Sequence, residues 1–214
     1  MKKKWGNGKT PPHFIPLLEQ MRMLPEIAEV VNPFYGNQLI NAYTKPEDYR
    51  GYETFKKWYA KDLKYDNPVV LVDTASLNAW VTSVVKSGNT SRLNFMSATV
   101  AVDIAEQLFS PDRPEIEGGT KRVLIVSPYR AHAKLVNILL KDIATLNNEV
   151  VSGTAHSFQG AEADVVIFDT VVDEPHFKVN LFMQSQDEEL KCLLNVALTR
   201  AKFRLFIIGD FDYC

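Results

Sequence analysis

Two stretches of this sequence gather polar side chains directly behind apolar runs, and both carry groups suited to phosphate or sugar. Val123–Val126 leads into Ser127-Pro128-Tyr129-Arg130, and Val150-Val151 leads into Ser152-Gly153-Thr154-Ala155-His156-Ser157-Phe158-Gln159-Gly160-Ala161-Glu162. Ser127, Thr154 and His156 can donate to phosphate oxygens, Tyr129 offers a ring for packing, and Arg130 offers a charge. Gly160 lets the backbone turn sharply or approach a ligand, and Gln159 can sense phosphate through its amide. The Glu162 carboxylate only accepts hydrogen bonds at neutral pH, so it suits a sugar hydroxyl and makes a poor phosphate ligand. Read singly, each segment is also compatible with a turn and a helix cap, and Tyr129 with a half-buried core tyrosine.

Two arginines stand apart from these segments. A helix starting near Asp187 and running to about Lys202 would align Leu190, Leu193, Leu194, Ala197 and Ala201 as one apolar stripe, with Asn195, Thr199 and Lys202 opposite. Arg200 falls on the flank of that stripe, where a permanent charge must snorkel, pair with an acid or emerge into a cleft. Arg22, in Gln20-Met21-Arg22-Met23, precedes a helical pattern and reads locally as a surface arginine.

The elements that must position these groups follow from periodicity. Val69–Val72, Val123–Val126, Val165–Phe168 and Leu205–Ile208 are short apolar runs, the pattern of strands buried on both faces of a parallel sheet. Helical periodicity fills the intervals: Asn94 can cap a helix carrying Val100, Ile104, Ala105 and Leu108, and Arg130 to Ile143 places Leu135, Ile138 and Leu139 on one face. Alternating strand and helix predicts a doubly wound α/β domain. In such a sheet ligands sit beyond the carboxyl ends of the strands, where the polar segments lie. Residues 44–67, dense in Lys, Tyr, Asp and Glu, read as a solvated helix or insertion, and residues 83–91 and 110–120 as loops.

Bulk properties exclude several classes. The 214 residues, 46% hydrophobic and 23% charged, describe a globular chain with enough apolar matter for a core. No apolar stretch approaches membrane-span length and no signal-peptide run opens the chain, so a cytoplasmic location is expected, or a nuclear one in a eukaryote, with no membrane partner. Cys192 and Cys214 with four histidines show no metal-ligand spacing, and structural thiols are expected. Net charge is −2, so any nucleic-acid contact must be local. Gly8-Lys9-Thr10 imitates the end of a phosphate-binding loop, but the pattern needs glycine where Lys3 stands.

Longer strings carry a resemblance. Residues 154–172, TAHSFQGAEADVVIFDTVV, and residues 195–202, NVALTRAK, resemble motifs V and VI of superfamily 1 helicases of the up-frameshift group. VLIVSPYRAHAKLV (123–136) is similar to their motif IV, and LLEQMRMLPEIAEVVNPFYGNQL (17–39) to the segment that opens their second motor domain. The resemblance covers most of the chain and implies a RecA-like P-loop NTPase fold: a three-layer sandwich with a mainly parallel central sheet and helices on both faces. It implies one second RecA-like domain over 1–214, with 40–68 as an insertion or less matched segment. Arg200 and Arg22 are then arginine fingers directed at the γ-phosphate of ATP, worth roughly 10³ to 10⁵ in rate where such fingers have been measured. Gln20, Gln159, Gly160 and Glu162 then hold nucleotide, and Ser127, Tyr129, Arg130, Thr154 and His156 grip single-stranded DNA or RNA by its backbone. ATP and Mg2+ would be held mainly by a first RecA-like domain, without which this chain is expected to be inactive. Met21 departs from the family, which usually has an aromatic residue there. A non-catalytic nucleic-acid-binding or scaffold domain that retains the helicase fold is the rival reading.

Overall fold

The computed structural model describes residues 18–59, 67–77, 80–86, 89–109, 122–143, 146, 149–171 and 188–211. The expected loop at 110–120, the cap at Asp187 and the Gly8-Lys9-Thr10 imitation lie outside them. A five-stranded sheet forms the centre, built from β3 (Val69–Asp73), β6 (Val123–Ser127), β7 (Val150–Thr154), β8 (Ala163–Asp169) and β9 (Ala201–Gly209). Its order is β3-β9-β8-β6-β7, and every pairing is parallel. All five residues of β6 and the last five of β8 are buried, so the central strands are covered on both faces. That is the environment their unbroken Val/Ile/Leu/Phe runs require.

Helices supply the cover. α3 (Phe95–Gln107) buries Ala98, Ala101, Val102 and Ala105, and its Asn94 cap accepts a hydrogen bond from Ser97 N at 3.2 Å. α4 (Arg130–Lys141) buries His132, Ala133 and Val136, while Ile138, expected inside, is exposed. Together α3 and α4 pack along β6 to β9, whereas α5 (Glu188–Leu198) lies on β8 and the turn after β7, and α1 (Pro25–Val31) lies on β9. A short parallel pair, β1 (Glu19–Gln20) and β2 (Ile40–Asn41), stands beside α1. This is the α/β architecture that the strand and helix periodicity predicted.

Four expectations change. Residues 83–91 are not a loop: β4 (Val81–Lys86) and β5 (Asn89–Asn94) form an antiparallel hairpin, with Val81 opposite Asn94 and Ser83 opposite Arg92. Within the expected solvated segment, α2 (Tyr52–Trp58) buries Phe55 and Trp58 and is followed by buried Tyr59. The i, i+3, i+4 aromatic spacing makes one inward face, and the charges that dominate the composition occupy the other. α5 ends at Leu198, so Lys202 belongs to a strand and Arg200 to the turn before it. There Thr199 Oγ1 donates to Asn195 O at 2.6 Å and Arg200 Nε to Val196 O at 2.9 Å, which satisfies terminal carbonyls and releases the chain to pair with β8. Finally, Cys192 is exposed, so it is not a buried structural thiol.

Candidate functional site

The chain brings Gln20, Arg22, Glu162 and Arg200 to the wall of one cleft of about 830 Å³, together with Met21, Tyr35, Arg50, Thr199 and Lys202. The junction of β8 and β9 makes this possible. Their register shifts between Ala163↔Ala201 and Val165↔Arg204, so β9 carries one extra residue at the cleft. Leu24 N donates to Lys202 O in this bulge at 2.9 Å, and Arg22 NH1 donates to Thr199 O at 3.2 Å. The segment before α1 is thereby fastened to the segment after α5, and two arginines distant in sequence share a wall.

The two guanidinium groups are held differently. Arg200 is half-buried and donates to Val196 O at 2.9 Å, Ala161 O at 3.0 Å and Thr199 Oγ1 at 3.1 Å. Among the described residues no carboxylate pairs with it. Burial lowers its pKa from the ordinary value, and the charge of Arg22 lowers it further. Arg22 has a partner: its Nε lies 3.3 Å from Glu162 Oε2, in a pair whose side chains are 40% and 52% exposed. Such a pair is worth at most about 1 kcal/mol and opens readily. Lys202 Nζ sits 3.7 Å from Glu162 Oε1 and 3.6 Å from Asp164 Oδ1.

Gln20 acts on the chain itself. Its Oε1 accepts from Arg22 N and Met23 N at 3.0 and 2.9 Å, and its Nε2 donates to Met23 O at 2.9 Å and Asn41 Oδ1 at 2.5 Å. Those bonds use both acceptor and both donor positions of the amide, so Gln20 shapes the turn that presents Arg22. Gln159 and Gly160 are exposed on the turn leading to Ala161 and do not line the cleft. Gly160 has φ +84 with open space around it, so its backbone conformation, not crowding, calls for glycine.

The proposed strand-facing residues lie at the carboxyl ends of β6 and β7, where Ser127 pairs in register with Thr154. Arg130 and His156 are exposed and Thr154 is half-buried. Ser127 is fully buried, and its hydroxyl accepts from Tyr129 N at 3.2 Å, which holds the turn into α4. Tyr129 is half-buried with Arg92 NH1 3.4 Å from its hydroxyl; burial raises its pKa, and the Arg92 charge partly offsets this.

Residues outside the sequence expectations support this surface. His132 and Asp169 are fully buried with 2.8 Å between Nε2 and Oδ2. His132 Nδ1 accepts from Asn94 N at 3.3 Å, so Nε2 carries the proton and donates to Asp169. Asp169 Oδ1 accepts from Val171 N at 2.8 Å, holding Val171 at φ +61, a strained conformation for a β-branched residue. A polar His inside an otherwise apolar helix face was the available sequence signal. Lys202 and Arg50 were missed as cleft residues, the first because it was drawn on a helix and the second because it lay in the presumed insertion. Among the described residues there is no group of three or more His, Cys, Asp or Glu placed to hold a metal, and no helix long and apolar enough to cross a membrane.

Comparison with known proteins places the fold in a family. Residues 3–212 match a family model described as an AAA domain. The chain is 25% identical over 201 residues to the Regulator of nonsense transcripts 1 homolog of Neurospora crassa, a match covering 92% of this chain and 16% of that protein. It is 34% identical over 90 residues to the DNA polymerase alpha-associated DNA helicase A of Schizosaccharomyces pombe, covering 42% of this chain and 12% of the relative. It is 28% identical over 117 residues to the DNA replication ATP-dependent helicase/nuclease DNA2 of Gallus gallus, covering 49% and 10%. The chain therefore spans less than a fifth of each of these relatives. With the family match running over almost its whole length, a parallel α/β sheet beneath it and relatives that are superfamily 1 helicases, the chain belongs to the AAA domain family, in its superfamily 1 helicase C-terminal form.

Proposed function

We propose that residues 1–214 are the second RecA-like motor domain of an ATP-dependent superfamily 1 helicase or translocase, with residues 40–68 as its least matched segment. A first RecA-like domain elsewhere in the protein supplies the phosphate-binding loop and most of the ATP and Mg2+ contacts, and this chain closes the site from the other side. Mg2+ neutralises phosphate charge when bound. The observation that carries the reading is Arg200: a half-buried guanidinium on a cleft wall, fixed by three oxygens and paired with no described carboxylate. A fixed charge lacking a counter-ion suits an anion arriving from outside. Arg22, released from its weak pair with Glu162, adds a second charge and frees that carboxylate for a ribose hydroxyl. Gln159 and Gly160 act only at the rim. Opposite them, Tyr129, Arg130, Thr154 and His156 grip one DNA or RNA strand through its backbone, with Ser127 setting the turn. Closure and reopening of the cleft against the gripped strand drive stepping.

The test is Arg200→Ala in the intact protein, measured as ATP turnover with single-stranded DNA and with RNA. Turnover should fall by about 10³ to 10⁵ while oligonucleotide affinity stays close to wild type. Undiminished turnover removes the finger assignment.

A further inference from the structure

We propose that Arg92, carried by the β4–β5 hairpin, is a further strand-binding residue that takes a phosphodiester of single-stranded nucleic acid beside Tyr129 and Arg130. The proposal rests on the strand-binding reading above and extends it to an element outside the segments that suggested it.

Placement is the first argument. The Arg92 guanidinium carbon lies 5.7 Å from the Tyr129 ring centroid, and its NH1 donates to the Tyr129 hydroxyl at 3.4 Å. Arg130, exposed, follows in the same turn. A cation and a ring thus meet at the carboxyl end of a parallel-sheet strand, with a second, exposed cation next in the chain, the combination that tracks a single-strand backbone while offering a base a surface to pack on.

Charge is the second. Arg92 is half-buried, yet among the described residues no carboxylate pairs with it. A guanidinium has five N–H donors, and the Tyr129 contact uses one of them. The free edge suits the paired oxygens of a phosphate, which an arginine recognises in bidentate fashion.

Rigidity is the third. A two-stranded hairpin is marginal alone, so its position depends on what it is tied to. Here the ties flank Arg92: Ala131 N donates to Ser91 Oγ at 2.9 Å, and Asn94 N donates to His132 Nδ1 at 3.3 Å. His132 is in turn held by Asp169. A buried histidine and aspartate, with a strained valine after them, fix the hairpin against the first turn of α4 and so fix Arg92 relative to Tyr129 and Arg130. A solvated connection between β3 and α3 would need none of this.

The test uses the intact protein with fluorescently labelled oligo-dT and oligo-U, followed by anisotropy across a KCl series. Arg92→Gln should weaken binding about tenfold and lower the slope of log affinity against log salt by about one. Arg92→Lys should keep the wild-type slope and recover part of the affinity. Wild-type affinity and slope in R92Q, with Arg130→Gln weakened, would make Arg92 only a packing partner of Tyr129 and overturn the proposal while leaving the strand reading intact. Failure of the wild type to bind either oligonucleotide at low salt sinks the strand reading and this proposal with it. Should R92Q not fold, phenylglyoxal modification of the wild type, read by peptide mass spectrometry, decides. Bound oligonucleotide should protect Arg92, and protection of Arg130 alone would count against it.

Discussion

Arg22 and Arg200 share a wall but present different chemistry. Arg200 is preorganised, because three hydrogen bonds keep its guanidinium in place before any ligand arrives. Arg22 is held more loosely, by one hydrogen bond to Thr199 O and by an exposed pair with Glu162 that opens readily. Asp164, behind them, gives a pH prediction. Burial raises its pKa above the ordinary 3.8, and the charge of Lys202 and the hydrogen bond from Trp58 offset this only in part. With the folded pKa above the unfolded one, the folded state holds the proton more tightly, so this contribution to stability is complete below pH 3.8 and is lost as pH rises through the folded value. Asp164→Asn, which cannot ionise, should therefore gain stability relative to wild type as pH climbs toward neutrality. Urea denaturation of both proteins over a pH series checks this, and a constant difference between them would contradict the burial account.

Among the elements, those bordering the two surfaces depend most on single residues. Asn94 ends β5, caps α3 through its side chain and anchors the hairpin through its backbone. Asn94→Ala removes the cap and should cost about 1 kcal/mol or more in chemical denaturation, with the backbone tether of the hairpin retained. At the end of β7 the constraint is steric: a Cβ on Gly153 would lie 2.9 Å from the Phe158 ring. Phe158 is buried and cannot retreat, so Gly153→Ala should displace the turn that carries Thr154 and His156. Weaker oligonucleotide binding with ATP turnover in the absence of nucleic acid near normal is the expected pattern, and unchanged binding would show that the turn adapts.

For the molecule as a whole, the segment with the most polar composition closes one end of the core. Trp58 is fully buried, packs on Phe55 and Phe109 with centroids 5.4 and 4.9 Å away, and donates to Asp164 at 3.2 Å. Arg122 lies over its ring at 5.0 Å, and Arg204 lies over Phe55 and Tyr59 at 5.5 and 5.2 Å. Arg122 precedes β6 and Arg204 lies in the first half of β9, toward the amino edge of the sheet that also carries Glu162, Arg200 and Lys202. Trp58→Ala should cost about 3–5 kcal/mol, read from the denaturation midpoint. A loss under about 1 kcal/mol would mean that the segment is peripheral after all.

The strands of the central sheet were legible because burial on both faces leaves a local trace, an unbroken run of branched apolar residues. The same holds for Asn94, since a cap is a local event, and for the strings around Glu162 and Arg200, whose residue order carries the family resemblance. Three features left no such trace. The hairpin was hidden because Val84 and Val85 break the alternation that marks a half-buried strand, and its position depends on bonds to α4 far along the chain. The end of α5 was hidden because the stripe continues through Ala201, and only pairing with β8 turns the chain extended there. The convergence of Arg22 with Arg200, and of Arg92 with Tyr129, depends on backbone and side-chain bonds between segments far apart in sequence. Local order can specify which groups a chain offers; which of them meet is set by the packing that brings distant segments together.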